Sequence, residues 1–304
     1  MPLHNPDCFN NHLGPWMIEP GFMSNALAMI KAGTWQLRME MPKPKADDSD
    51  AFVYMGINIA YQRLGGVALI EMDGPLMKGW SKFGGTSTVH VRKALRAAMK
   101  DDKVNSILLM IDSPGGTVAG TEELAADIKM ADSMKPTCAY CADLCASAAF
   151  WAASQTRRIT ANATAQIGSI GTVAVVEDSS KKAEMQGIKV HVVSTGEFKG
   201  AFTDGAPVTE AELDYLQTLI NNINGHFLEG VAMGRKMNMK EVKAVADGRV
   251  FLASDAKKMG LIDAVDSLDS VISGMGDKYA PKPKQKTVTR AEMLDQMIKM
   301  ENQD

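Results

Sequence analysis

Short apolar runs alternate along this chain with stretches in which apolar residues recur at helical spacing. Val67–Ile70 runs into Asp73-Gly74-Pro75, a strand followed by a turn. Ser106–Ile111 is apolar at every position after Ser106, as a strand buried on both faces requires. The pattern predicts further strands at Thr137–Tyr140, Arg158–Thr160, Thr172–Val176 and Ile188–Ser194. It predicts helices at Val89–Lys100, Thr117–Met130, Ser147–Ala153, Ser179–Gln186 and Glu210–Met233, the last opened by a Thr209/Glu212 capping box. Alternating strands and helices imply an α/β domain with a largely parallel sheet and flanking helices.

This domain spans residues 51–268. Residues 1–50 form an arm with an amphipathic helix near Gly21–Met39 and a polar, proline-containing linker, Met41–Asp50. Residues 269–304 read as a flexible linker followed by a short helix, Thr289–Met300.

The 304 residues, 45% hydrophobic and 23% charged, are ordinary for a globular protein able to bury a core. A net charge of −3 gives no electrostatic case for nucleic acid or an anionic membrane. There is no basic and apolar leader, and no apolar run long enough to span a bilayer, so a cytoplasmic protein without an anchor is expected. Cys138 and Cys141 form a C-x-x-C, with Cys145 just beyond. A metal or redox site would need a second ligand pair, so these thiols read as small core residues. No motif calls for a cofactor.

Four segments carry possible chemistry. Asp112-Ser113-Pro114-Gly115-Gly116-Thr117 takes a buried strand through glycines, whose amides could hold a phosphate or an acyl-transfer oxyanion. Its spacing fits neither a P-loop nor a dinucleotide fingerprint. In Cys145-Ala146-Ser147-Ala148-Ala149 one serine stands among small residues at a helix start, as a nucleophile or simply as an N-cap. Gly168-Ser169-Ile170-Gly171 is a glycine-bracketed turn. In Gly196-Glu197-Phe198-Lys199 a loop carries one lysine, a base only if its pKa falls well below 10.4. His191, expected mid-strand, offers a Ser147–His191 pair with Asp178 as a rival arrangement.

The order of these segments, continued by Gly248-Arg249-Val250-Phe251 and Gly260-Leu261-Ile262-Asp263, resembles the signal peptide peptidase A family, peptidase family S49. The resemblance covers about Gly66 to Val265. It implies a crotonase-like fold shared with Clp protease and a Ser–Lys dyad, with Ser147 as nucleophile and Lys199 as base. It also implies that Ser169 hydrogen-bonds the lysine, and that the oxyanion hole uses the amide of Gly115 or Gly116 together with that of Ala148. Bacterial members usually read A-S-G-G where this chain has Ala146-Ser147-Ala148-Ala149, which narrows the pocket. The lysine loop Lys199–Pro207 and the arm residues Met17-Ile18-Glu19-Pro20 look like the phage head-maturation branch. That branch implies scaffold, portal or capsid proteins as substrates and a homo-oligomer as the working form. Three alternatives stay open: a bacterial cytoplasmic peptidase of the same family, an acyl-CoA hydratase or isomerase on the same fold, and an inactive capsid-associated structural protein.

Overall fold

The computed structural model describes residues 16–18, 24, 52–54, 57–59, 61–79 and 85–279. The arm helix near Gly21–Met39, the linker Met41–Asp50 and the helix at Thr289–Met300 fall outside these residues, apart from residue 24. In chain order the strands are β1 (Trp16–Ile18), β2 (Phe52–Tyr54), β3 (Ile57–Ile59), β4 (Gln62–Leu64), β5 (Val67–Asp73), β6 (Leu76–Met77) and β7 (Thr86–Ser87). Helix α1 (Thr88–Lys100), β8 (Ser106–Ser113), β9 (Gly115–Thr117), α2 (Thr121–Met134), β10 (Thr137–Ala146) and α3 (Ala148–Ser154) follow. Then come β11 (Arg158–Ala161), β12 (Gln166–Gly168), α4 (Ser180–Met185), α5 (Glu210–Arg235), α6 (Met239–Ala244), β13 (Val250–Leu252), α7 (Ala253–Lys258), β14 (Ala264–Val265) and α8 (Leu268–Tyr279).

The main sheet runs β13-β12-β10-β8-β5-β4, with β11 on the first part of β10 and β14 beyond it. Its pairings are parallel except β4–β5 and β12–β13. The largely parallel sheet expected from the pattern is therefore present. Ile107, Leu109 and Ile111 of β8 face the core under α1, α2 and α3, and Leu108 faces the other side, where Met275 of α8 packs. Burying each such side chain stabilises the fold by about 2 kcal/mol. A smaller sheet, β1-β9-β6-β7, lies across the end of β8, and β9 is its pivot.

Four expected elements need correction. Thr117 ends a strand and does not start a helix; α2 begins at Thr121, after Gly120 takes a left-handed turn at φ 90°. The expected strands at Thr172–Val176 and Ile188–Ser194 do not form, because neither finds a neighbouring strand to complete its hydrogen bonds. Of them only Val173 pairs, through a single antiparallel bridge to Trp16. The linker expected from residue 269 is helical to Tyr279, since Met275 and its neighbours bury an apolar stripe on the sheet.

Candidate active site

β10 ends at Ala146 and α3 begins at Ala148, so Ser147 alone makes the turn between them. It does so at φ 52°, ψ −120°, a region that costs a non-glycine residue on the order of 1–3 kcal/mol. The turn is held from both sides. Ser147 N–H donates to Gly168 O at 2.7 Å, and Trp151 N–H donates to Ser147 O at 2.9 Å. Ala146, Ala148 and Ala149 are fully buried, and larger side chains would not fit so sharp a bend.

An N-cap serine would accept a helix amide with its side chain from an extended backbone; Ser147 does neither. Its Oγ makes one long contact, donating to Gly171 O at 3.5 Å. A hydroxyl kept out of local bonding on a strained strand-to-helix turn has the geometry a nucleophile needs.

Register brings the next two segments alongside. Ala146 pairs with Gly168 across β10 and β12, so Ser169 directly follows the residue bonded to Ser147. Ser169 is buried at φ 51°, its N–H donating to Arg249 O at 2.7 Å. Gly115 approaches from β9; a Cβ added there would lie 2.9 Å from Ser147 Cβ. Gly116 must also be glycine, because a Cβ would meet Leu76 O at 1.8 Å. Gly115 N–H donates to Ser113 Oγ at 3.2 Å.

Asp112, at the end of β8, accepts the Leu144 amide at 3.1 Å, across the irregular part of the β8–β10 pairing. Burial raises its carboxyl above the usual range and the Asp143 and Asp73 charges add to this, while the Leu144 amide opposes them. A groove of about 300 Å³ opens beside the turn, lined by Ile18, Ser169 to Val173, Asn224 and Gly248 among others.

The structure thus gathers Ser147, Ser169, Gly115, Gly116 and Ala148, but not Lys199. Lys199 is exposed in a turn stretch, its N–H donating to Gly196 O at 3.1 Å, and no hydrogen bond or ion pair among the described residues joins it to Ser147. His191 is exposed and outside any strand, and Asp178 accepts the amides of Ser180 and Val208, so the Ser147–His191–Asp178 arrangement is not assembled.

The C-x-x-C cannot act as a pair. Three positions apart on a strand, Cys138 and Cys141 face opposite sides of the sheet, one under α8 and one in the main core. Burial pushes the Cys138 thiol up to about 11, and burial with the neighbouring Cys141 pushes Cys145 well up, so both stay protonated at neutral pH. Sequence reasoning missed Gly171 and Arg249, whose carbonyls meet the two serines; backbone acceptors carry no residue-type signal.

A model of the family described as Peptidase family S49 matches residues 129–280. A Methanocaldococcus jannaschii protein bearing a protease name is 32% identical over 57% of this chain and 56% of its own length. Head-tail preconnector protein GP5 of Enterobacteria phage P21 is 30% identical over 86% of this chain and 55% of its own length. Capsid assembly protease C of Escherichia phage lambda is 27% identical over 72% of this chain and 50% of its own length. The chain spans about half the length of these curated relatives. No helix among the described residues is long and apolar enough to cross a membrane.

Proposed function

The chain belongs to peptidase family S49, and we propose that it is a serine endopeptidase of crotonase and Clp protease fold, with Ser147 as nucleophile and Lys199 as base. The observation that carries this reading is the strained, uncapped turn at Ser147, beside glycine amides and small buried neighbours. Ser147 Oγ attacks the scissile carbonyl and passes its proton to the Lys199 side chain. The oxyanion is held by the amide of Ala148 and one from the glycine pair, of which Gly116 is better placed because Gly115 already serves Ser113. Lys199 returns the proton to the leaving amine, and a water then releases the acyl group from Ser147. Ser169 orients the lysine.

Lys199 comes to Ser147 from a second copy of the chain in this reading. The segment that carries it exposes Val193 (96%) and Met185 (88%), apolar surface of the kind that marks an interface. The substrates are scaffold, portal or capsid proteins of a phage head. This choice is supported by the similarity to the phage P21 protein, which extends over 86% of this chain.

The test is hydrolysis of fluorescent casein by the full chain, with co-expressed head proteins followed on a gel. Ser147→Ala and Lys199→Ala should each lose activity by about 10³-fold or more, with His191→Ala unaffected. Mixing the two inactive variants should restore hydrolysis, because one chain supplies the serine and the other the lysine. Activity retained in Lys199→Ala would sink the dyad. No recovery on mixing would place both residues in one chain.

A further inference from the structure

β1 lies where a peptide would lie. Trp16–Ile18 runs antiparallel to Gly115–Thr117 on one side and is bridged to Val173 on the other. Trp16 exchanges both backbone hydrogen bonds with Val173, each 2.9 Å. Backbone groups alternate in direction along a strand, so the N–H and C=O of Met17 turn the opposite way, towards Gly116, its partner in register. The carbonyl next to the nucleophile is therefore that of Met17. One point, the position a Cβ would take on Gly115, is 2.3 Å from Met17 O and 2.9 Å from Ser147 Cβ. Those two atoms are separated by no more than the two lengths laid end to end. With the strand in place Met17 and Ser147 are both fully buried, and no substrate carbonyl can reach the hydroxyl.

We propose that Trp16–Ile18 is an internal peptide ligand of the active site, filling the groove between Gly115–Thr117 and Val173 and leaving it before a substrate strand can enter. The groove is then a site for an extended peptide taken up by strand addition, with an apolar residue where Met17 now sits. This inference rests on the reading of Ser147 as the nucleophile. It differs from an ordinary buried strand in its direction, its register on the glycine pair and the placement of one carbonyl beside Ser147.

A reversible lock tests it in the full chain. Trp16 and Val173 form a hydrogen-bonded antiparallel pair, whose Cα separation of about 5.5 Å suits a disulfide. The double variant W16C/V173C, oxidised, should hydrolyse fluorescent casein at least tenfold more slowly than the same protein after reduction. Equal rates in the two redox states would overturn the proposal. If the reduced protein hydrolyses nothing, amide hydrogen exchange at Gly115–Thr117 decides. Faster exchange on reduction means that the strand does leave, and only the peptidase reading falls; unchanged exchange overturns the internal ligand.

Discussion

From Cys145 to Thr156 every residue is buried, whereas from Gly171 to His226 none is. The first stretch holds Ser147 and the second holds Lys199, so the two halves of the proposed dyad stand on opposite foundations. The serine half is fixed by the main core: Phe150 and Trp151 anchor α3, and Trp151 stacks on Phe227 of α5 at 5.2 Å. That packing sustains a backbone conformation serine would not adopt alone. The lysine half is tied down by local contacts, such as Asp204 with the Ser179 hydroxyl and the Phe198–Tyr215 ring stack at 5.0 Å. On the proposed reading, the chain preorganises its serine in the core and leaves the lysine segment to be positioned by another surface.

The contrast is broken most forcefully on the buried side. Gly116→Ala puts a Cβ against the Leu76 carbonyl, and the fold should lose about 3 kcal/mol. Calorimetry should record a fall in Tm of roughly 10 °C. A change under a degree or two would mean that β9 yields easily and that the turn is less confined than its burial implies.

A smaller loss is expected at the ion pair that ties α5 to the loop before β14. Arg235 Nη2 donates to Asp263 Oδ1 at 2.9 Å, and Asp263 Oδ2 accepts the Ile159 amide at 2.7 Å. Burial pushes the Asp263 carboxyl up, but the Arg235 guanidinium and the Ile159 amide outweigh it and hold the carboxyl below the usual range. Asp263→Asn should cost about 2 kcal/mol at neutral pH. A carboxyl held low in the folded state stabilises fully above its unfolded pKa, near 3.9, and that contribution fades as pH falls through the folded value. The gap in Tm between wild type and Asp263→Asn should therefore be widest at neutral pH and close below about pH 4. A gap that widened in acid would reverse the assignment.

The smallest effect on folding belongs to the exposed half. Val193→Asp should change the stability of the dilute chain by no more than about 0.5 kcal/mol. In sedimentation the same variant should shift the protein towards single chains. A large loss of thermal stability instead would show that Val193 packs within its own chain.

Much of this contrast can be read in the amino-acid order, and the unread part has a physical cause. The central strands announced themselves because a strand buried on both faces must be apolar along its length, as Ile107–Ile111 is. The Thr209/Glu212 capping box appears as expected, both of its hydrogen bonds formed. Ile188–Ser194 misled for the same reason that the core strands did not. Its alternation of apolar and polar residues is that of a strand, but an apolar position records only that some surface will cover it, not which chain supplies that surface.

The α/β class and the small-residue setting of Ser147 could be read from the amino-acid order, because they follow from periodicity and residue size, whereas the need for glycine at 115 and 116 comes from Met17, Ala146 and Leu76 packed against them. The folded chain, by contrast, is what puts Ser147 on a strained turn free of capping. It alone set Trp16–Ile18 against the glycine pair and left Lys199 in solvent. The seating of Trp16–Ile18 depends on a pairing between residues about a hundred positions apart, and such pairings are chosen by the packing of the whole core and not by any short stretch of the chain.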